Sequence, residues 1–169
     1  MKLSKHIIIF LVSILAGNAA VARDVAQADK FLLSVNRLAS TNNFSTDMVK
    51  SYFCLTMVRG ESGRIGYVRY RGMGSGCGLP IRAFEVDIPS VSANDDIFVK
   101  ISLSNKVCLV PKIFEDTFPG GTSSLMPDAG IPYYSAKIGL NTASASYQSF
   151  LNGKYCIYEI NLKIKQSAK

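Results

Sequence analysis

The sequence predicts an α+β domain: an N-terminal helix pair packed on an antiparallel β-sheet of roughly five to seven strands, stapled by disulfides. Three observations lead there. Apolar residues from Val25 to Leu38 recur at helical spacing, whereas beyond Leu55 the apolar period falls to two. The alternating segments keep one apolar and one polar face, which is the mark of an antiparallel sheet. Four cysteines, an even number, stand in a chain that opens on an export signal.

That signal occupies residues 1–22. Lys2 and Lys5 form a positive n-region. Ile7 to Leu15 is an apolar run broken only by Ser13, and Ala20-Val21-Ala22 is a small-residue cleavage site. The run is too short to anchor in a bilayer. Cleavage after Ala22 is expected to release residues 23–169 as one exported domain, periplasmic or secreted. No later segment approaches the ~18 uninterrupted apolar residues of a membrane span. Loss of Lys2 and Lys5 from the 19 basic residues leaves 17 against 12 acidic ones, a mature charge of +5. That charge is compatible with an acidic partner and with ordinary solubility.

The elements then follow in order. Asp24 is placed to cap the first helix, with Gln27 completing a capping box. Val25, Ala28, Leu32, Val35 and Leu38, with Phe31 beside them, make one apolar stripe over about four turns. Its opposite side lacks the cationic face of a membrane-surface helix, so the stripe is expected to meet a core. Ser40 to Asn43 is a polar break. Ser45 reads as a second N-cap with Phe44 and Val49 at staple positions, opening a short helix from Thr46 to about Tyr52. If the destination were eukaryotic, Asn43-Phe44-Ser45 would be a glycosylation acceptor.

Strands come next. The chain is strand-like through Leu55 and Val58, and Gly60-Glu61-Ser62-Gly63 is turn chemistry. Ile65 to Met73 is the following strand. In 82–88, Phe84, Val86 and Ile88 share one face and Glu85 and Asp87 the other. In 97–103, Ile97, Val99, Ile101 and Leu103 point inward. Ser104-Asn105-Lys106 turns into a strand over 107–114, with Pro111 marking an edge or a bulge. Glu115 to Tyr134 has no period and reads as a long loop. Ala136 to Leu140 fits a strand, and Ala143 to Leu151 fits a helix ending at Gly153. In the last strand, Tyr155 to Lys165, Cys156, Tyr158, Ile160, Leu162 and Ile164 share the inner face.

Cys54, Cys77, Cys108 and Cys156 are expected to form two disulfides. Their spacings fit no zinc motif and no C-x-x-C redox site. Three pairings are open, and Cys54–Cys77 with Cys108–Cys156 is preferred because it braces the early hairpin and ties the last strand back to the middle of the sheet. The apolar neighbours of Cys54, Cys108 and Cys156 suggest buried staples.

The mature part contains no histidine, because His6 lies in the signal. This removes Ser-His-Asp and Cys-His catalysis, histidine acid–base chemistry and the usual catalytic zinc sites. Gly72, Gly74, Gly76 and Gly78 alternate before Pro80, but match neither G-x-G-x-x-G nor the P-loop, so no cofactor is expected. Glu85 with Asp87 reads as a solvated pair rather than a glycosidase cleft. Asp95-Asp96 reads as a turn without the calcium-loop pattern.

The remaining features suit recognition. Tyr67, Arg69 and Arg71 share one strand face, with Arg64 and Arg82 near in sequence, and lead into Met73 and Ser75 of the glycine-rich loop. Interleaved tyrosine and arginine can anchor a carboxylate-rich protein surface. They can bind nucleic acid on a sheet, which an exported protein has least use for, or form the wet face of a hairpin. The 118–132 loop carries Phe118, Leu125 and Met126, either as a recognition element or as a cover folded onto the sheet. The expectation is a non-catalytic exported protein that binds and blocks a protein partner, inhibitor- or immunity-like, the partner being an exported toxin or hydrolase. The alternatives are a structural or surface subunit such as a fimbrial component, and a small-ligand or polysaccharide-binding module.

Overall fold

A computed structural model describes residues 26–90, 96–105, 107–126, 129–149 and 153–166. The expected export signal, its expected cleavage site and the expected Asp24 cap lie outside these residues. Helix α1 covers 26–39 and buries the side chains of Ala28, Phe31, Leu32, Val35 and Leu38, as their spacing requires. Helix α2, Thr46–Phe53, follows Ser45, which has the extended backbone of an N-cap but makes no side-chain capping bond. The buried pair Phe44 and Val49 carries that helix start instead. The helix ends at Cys54, whose φ of 52° is left-handed and whose N–H bonds the Lys50 carbonyl. Glycine usually takes this position.

Eight strands form one sheet: β1 Thr56–Gly60, β2 Tyr67–Met73, β3 Ile81–Pro89, β4 Asp96–Leu103, β5 Thr122–Leu125, β6 Pro132–Ile138, β7 Asn141–Ser149 and β8 Tyr155–Lys165. They are antiparallel throughout, in the order β1-β2-β3-β4-β8-β7-β6-β5. The last strand is therefore central. Its Ile160, Leu162 and Ile164 join Val99 and Ile101 of β4, Phe84 and Val86 of β3 and the apolar sides of the helices in one core.

Five expectations are corrected. The sheet has eight strands, not five to seven, because two came from segments read otherwise. β7 replaces the helix expected over 143–151. Its inward residues are Ala143 and Ala145, whose helix propensity masks the period of two. β5 lies inside the expected loop, and all four of its residues are exposed, so it carries no burial signal. The strand expected over 107–114 is instead a third helix, α3, Pro111–Thr117. Pro111 sits in its first turn, where proline's missing N–H has no partner to lose. Finally, β8 carries a bulge. Ser146 pairs with Glu159 but Tyr147 with Ile157, so Tyr158 is the extra residue, and Ile157 rather than Tyr158 enters the core.

The disulfides are Cys54–Cys77 and Cys108–Cys156. The pairing is the expected one, but the setting is not. Only Cys156 is buried, while Cys54, Cys77 and Cys108 are at the surface. The staples join segments around the rim of the sheet rather than layers of its core.

Asn141 supplies a tie the sequence did not announce. Its buried Nδ2 donates to the carbonyls of Ala39 at 2.8 Å and Thr41 at 2.7 Å, and its Oδ1 accepts the Lys165 N–H at 2.8 Å. One side chain thus joins the end of α1 to the start of β7 and the end of β8.

Candidate functional site: the open sheet face and its arginine-rich corner

The outward face is built by register. Arg69 stands opposite Asp87 and Arg71 opposite Glu85 across β2–β3. Asp87 and Glu85 in turn stand opposite Phe98 and Lys100 of β4, which face Lys163 and Asn161 of β8. These alternating residues are the polar half of each strand's period of two, so pairing brings them together without further design.

Most of these charges are engaged with one another. The Arg69 guanidinium forks onto Asp87, with Nε to Oδ1 at 2.8 Å and Nη2 to Oδ2 at 2.9 Å. Glu85 lies 3.6 Å from Arg69 and 3.4 Å from Arg71. Lys100 pairs with Glu159 and Lys163 with Asp96, each at 2.7 Å. The Arg64 guanidinium lies 3.9 Å from the Phe98 ring centroid and 5.4 Å from that of Tyr67.

Two acidic expectations change here. Asp87 is not wet: it is 7% exposed, accepts a bond from Ser62 as well, and is committed to Arg69. Asp96 opens β4 rather than sitting in a turn. The Asp87 carboxyl is held below the usual range, chiefly by the Arg69 hydrogen bonds acting against the cost of burial. A lowered carboxyl contributes stability that is complete above its unfolded value near ~4 and is lost as pH falls through the folded value. Arg69→Met is expected to cost about 2 kcal/mol at pH 7, below the full value of a sealed pair because both groups keep some solvent. Urea titrations from pH 7 to pH 2 should show the gap between wild type and Arg69→Met closing as Asp87 protonates.

The structure places the sequence candidates in two groups. Tyr67, Arg69, Arg71 and Met73 share the open face of β2, with exposed Ser75 just beyond. Leu125, 60% exposed, lies on β5 at the opposite edge with half-buried Met126 next to it. β2 and β5 are six strand positions apart, roughly 29 Å at ~4.8 Å per strand. The 72–80 and 118–132 segments do not form one patch. Phe118 is in the core, its ring 4.6 Å from that of Phe114. Tyr134 holds the corner down: its hydroxyl donates to the Phe118 carbonyl at 2.6 Å and accepts the Gly121 N–H at 2.8 Å. A side chain at Gly121 would press on the Ser135 carbonyl and the Tyr134 ring. At Phe118, then, the segment is a cover.

The remaining group gains members that sequence reasoning missed. β1 pairs only with β2, so its outer edge is unpaired among the described strands. Val58 stands opposite Arg71, diagonal to Met73, and these two apolar side chains are 51% and 61% exposed on the open face. Arg59, also exposed, stands opposite Tyr70 and so leaves the same edge strand toward the other face of the sheet, and Ile65 is fully exposed in the β1–β2 loop. The available signal was compositional. Residues 56–82 hold five of the chain's seven arginines, no lysine and one acid, Glu61.

Comparison with protein-family models, curated proteins and solved structures gives no match for the chain. Any functional conclusion therefore rests on these residues. Among the described residues no three His, Cys, Asp or Glu side chains gather to hold a metal ion. Among them too, no helix is long and apolar enough to cross a membrane.

Proposed function

We propose that the protein is an exported, non-catalytic binding module, inhibitor- or immunity-like, that docks a carboxylate-rich protein partner on its β1–β2 corner. The carrying observation is the coincidence of an edge strand unpaired among the described strands, the exposed apolar pair Val58 and Met73, and the exposed arginines Arg59 and Arg71 at the same edge. Arginine presents a planar fork matched to carboxylates and is favoured over lysine at protein interfaces. An extended segment of the partner laid along β1 would add main-chain bonds to these side-chain contacts. The two disulfides accord with an oxidising destination, and the first anchors the 75–78 turn beside the corner.

The reading is tested by capture from the source organism under non-reducing conditions. Wild type is expected to retain an acidic protein that the charge and shape variant Arg59→Glu/Arg71→Glu/Met73→Asp loses, at least 100-fold in Kd. Leu125→Asp, at the far edge, should retain it. Equal capture by all three proteins would sink the proposal.

A second reading, a structural or surface subunit, is favoured by one observation. Both outermost strands, β1 and β5, lie at sheet edges, which suits head-to-tail strand addition. Concentration-dependent assembly in gel filtration would support it, and a monomer at all concentrations would remove it.

A further inference from the structure

Beyond the corner, the geometry points to a second site: we infer that a cleft across β3, β4, β8 and β7 binds the free C-terminal end of a peptide. The cleft has a volume of about 320 Å³ and is lined by Arg82, Ser102, Asn105, Gln148, Tyr158 and Glu159 among others. That size is at the lower end of the ~300–1,000 Å³ of small-ligand sites, enough for a chain end rather than a folded surface.

Two β-bulges build it. In β3 the register shifts between Ile81 and Ala83, leaving Arg82 as the extra residue. In β8 the extra residue is Tyr158. β3 and β8 are the two neighbours of β4, so the two irregular residues flank the last outward residue of β4, Ser102. Bulges re-aim side chains, and two of them converging on one cleft give it a lining that a regular ladder would not.

The rim is braced covalently on both sides. Cys54–Cys77 anchors the turn that leads to Pro80, whose carbonyl accepts the Ser104 N–H at 2.9 Å. Cys108–Cys156 anchors the other side, where the Ile157 N–H bonds the Leu109 carbonyl at 2.9 Å. Both staples of the protein thus serve the end of the sheet where the cleft lies. A lining fixed before binding loses less freedom when a ligand arrives.

The chemistry selects the ligand. Arg82 is exposed and makes no ion pair among the described residues, so one guanidinium is present for one carboxylate. Glu159 is already paired with Lys100 at 2.7 Å and accepts a bond from Asn161 at 2.9 Å. Lys100 compensates its charge, so the lining keeps the single positive charge of Arg82, which one monoanion matches and a dianion exceeds. Asn105 and Gln148 carry amides that both donate and accept, and Ser102 and Tyr158 add hydroxyls. A cation beside groups that pair with amides fits a terminal carboxylate followed by a peptide bond.

The test is an NMR titration of the oxidised full chain with N-acetyl-Ala-Ala as the free acid and as the C-terminal amide. The acid is expected to shift resonances of residues 82, 102, 148 and 158 with a Kd below 1 mM, and the amide to bind at least tenfold more weakly. Arg82→Gln should lose the acid tenfold or more, with Arg82→Lys between. The corner variant Arg59→Glu/Arg71→Glu/Met73→Asp should bind the acid like wild type, which separates this site from the docking surface. Equal affinity for acid and amide, displacement by an equal concentration of acetate, or an unaffected Arg82→Gln would each overturn the inference.

Discussion

Replacing Cys108 and Cys156 together by alanine should lower stability by about 4 kcal/mol, from the entropy of a closed loop of this length. The sequence separation is 48 residues, against 23 for Cys54–Cys77, for which the same relation gives about 3.5 kcal/mol. Local structure adds to the larger figure. Residues 107–110 contribute no strand to the sheet and touch it through a single bridge, Leu109 to Ile157. Without the staple, that bridge and the buried Leu109 side chain are left to hold the segment that leads into α3. Equilibrium urea unfolding of oxidised wild type and the two double variants checks this. A loss under 1 kcal/mol for the Cys108/Cys156 variant would show that the tie is redundant.

Asn141→Asp is the second large effect, expected at about 3–5 kcal/mol at pH 7 because it sets an unpaired carboxylate against two carbonyl oxygens. Asn141→Ala, which strands the same carbonyls and the Lys165 N–H without adding charge, should cost less, about 2–3 kcal/mol. The acidic variant has a distinctive pH dependence. Burial and facing carbonyls raise its carboxyl above the unfolded value, since only the protonated form can donate. Its relative stability is therefore fullest below ~4 and declines as pH rises, by up to ~1.4 kcal/mol per unit until the raised value is passed. Unfolding of Asn141→Asp and Asn141→Ala from pH 4 to pH 8 tests this as a difference. A constant offset between them would contradict the buried donor role of Asn141.

Much of the fold was legible because burial leaves a periodic trace. The stripe from Ala28 to Leu38 and the alternation of Phe84 and Val86, Ile97 to Leu103 and Ile160 to Ile164 each named their element and face. The trace fails where inward residues are small, as at Ala143 and Ala145, or where a strand buries nothing, as in β5. It also misleads at Pro111, which is compatible with an edge strand and with a helix start, and only the burial of Phe114 against Phe118 and Tyr134 decides. A bulge is invisible to a strict period of two, so the exchange of Tyr158 for Ile157 was beyond reach. The candidate site divides in the same way. Tyr67, Arg69 and Arg71 were placed on one face by parity, but that Arg69 is consumed by Asp87 depends on cross-strand register. Val58 and Arg59 matter because β1 is an edge, which is a property of strand order.

Hydrogen exchange of the protein alone and with its captured partner reads docking at the β1–β2 corner residue by residue. Amide exchange is expected to slow across 56–60, where the β1 edge lacks a neighbour among the described strands, and in 67–75, with little change in β5 at 122–125. Protection confined to β5 and the 118–126 segment, with β1 exchanging as in the free protein, would contradict it.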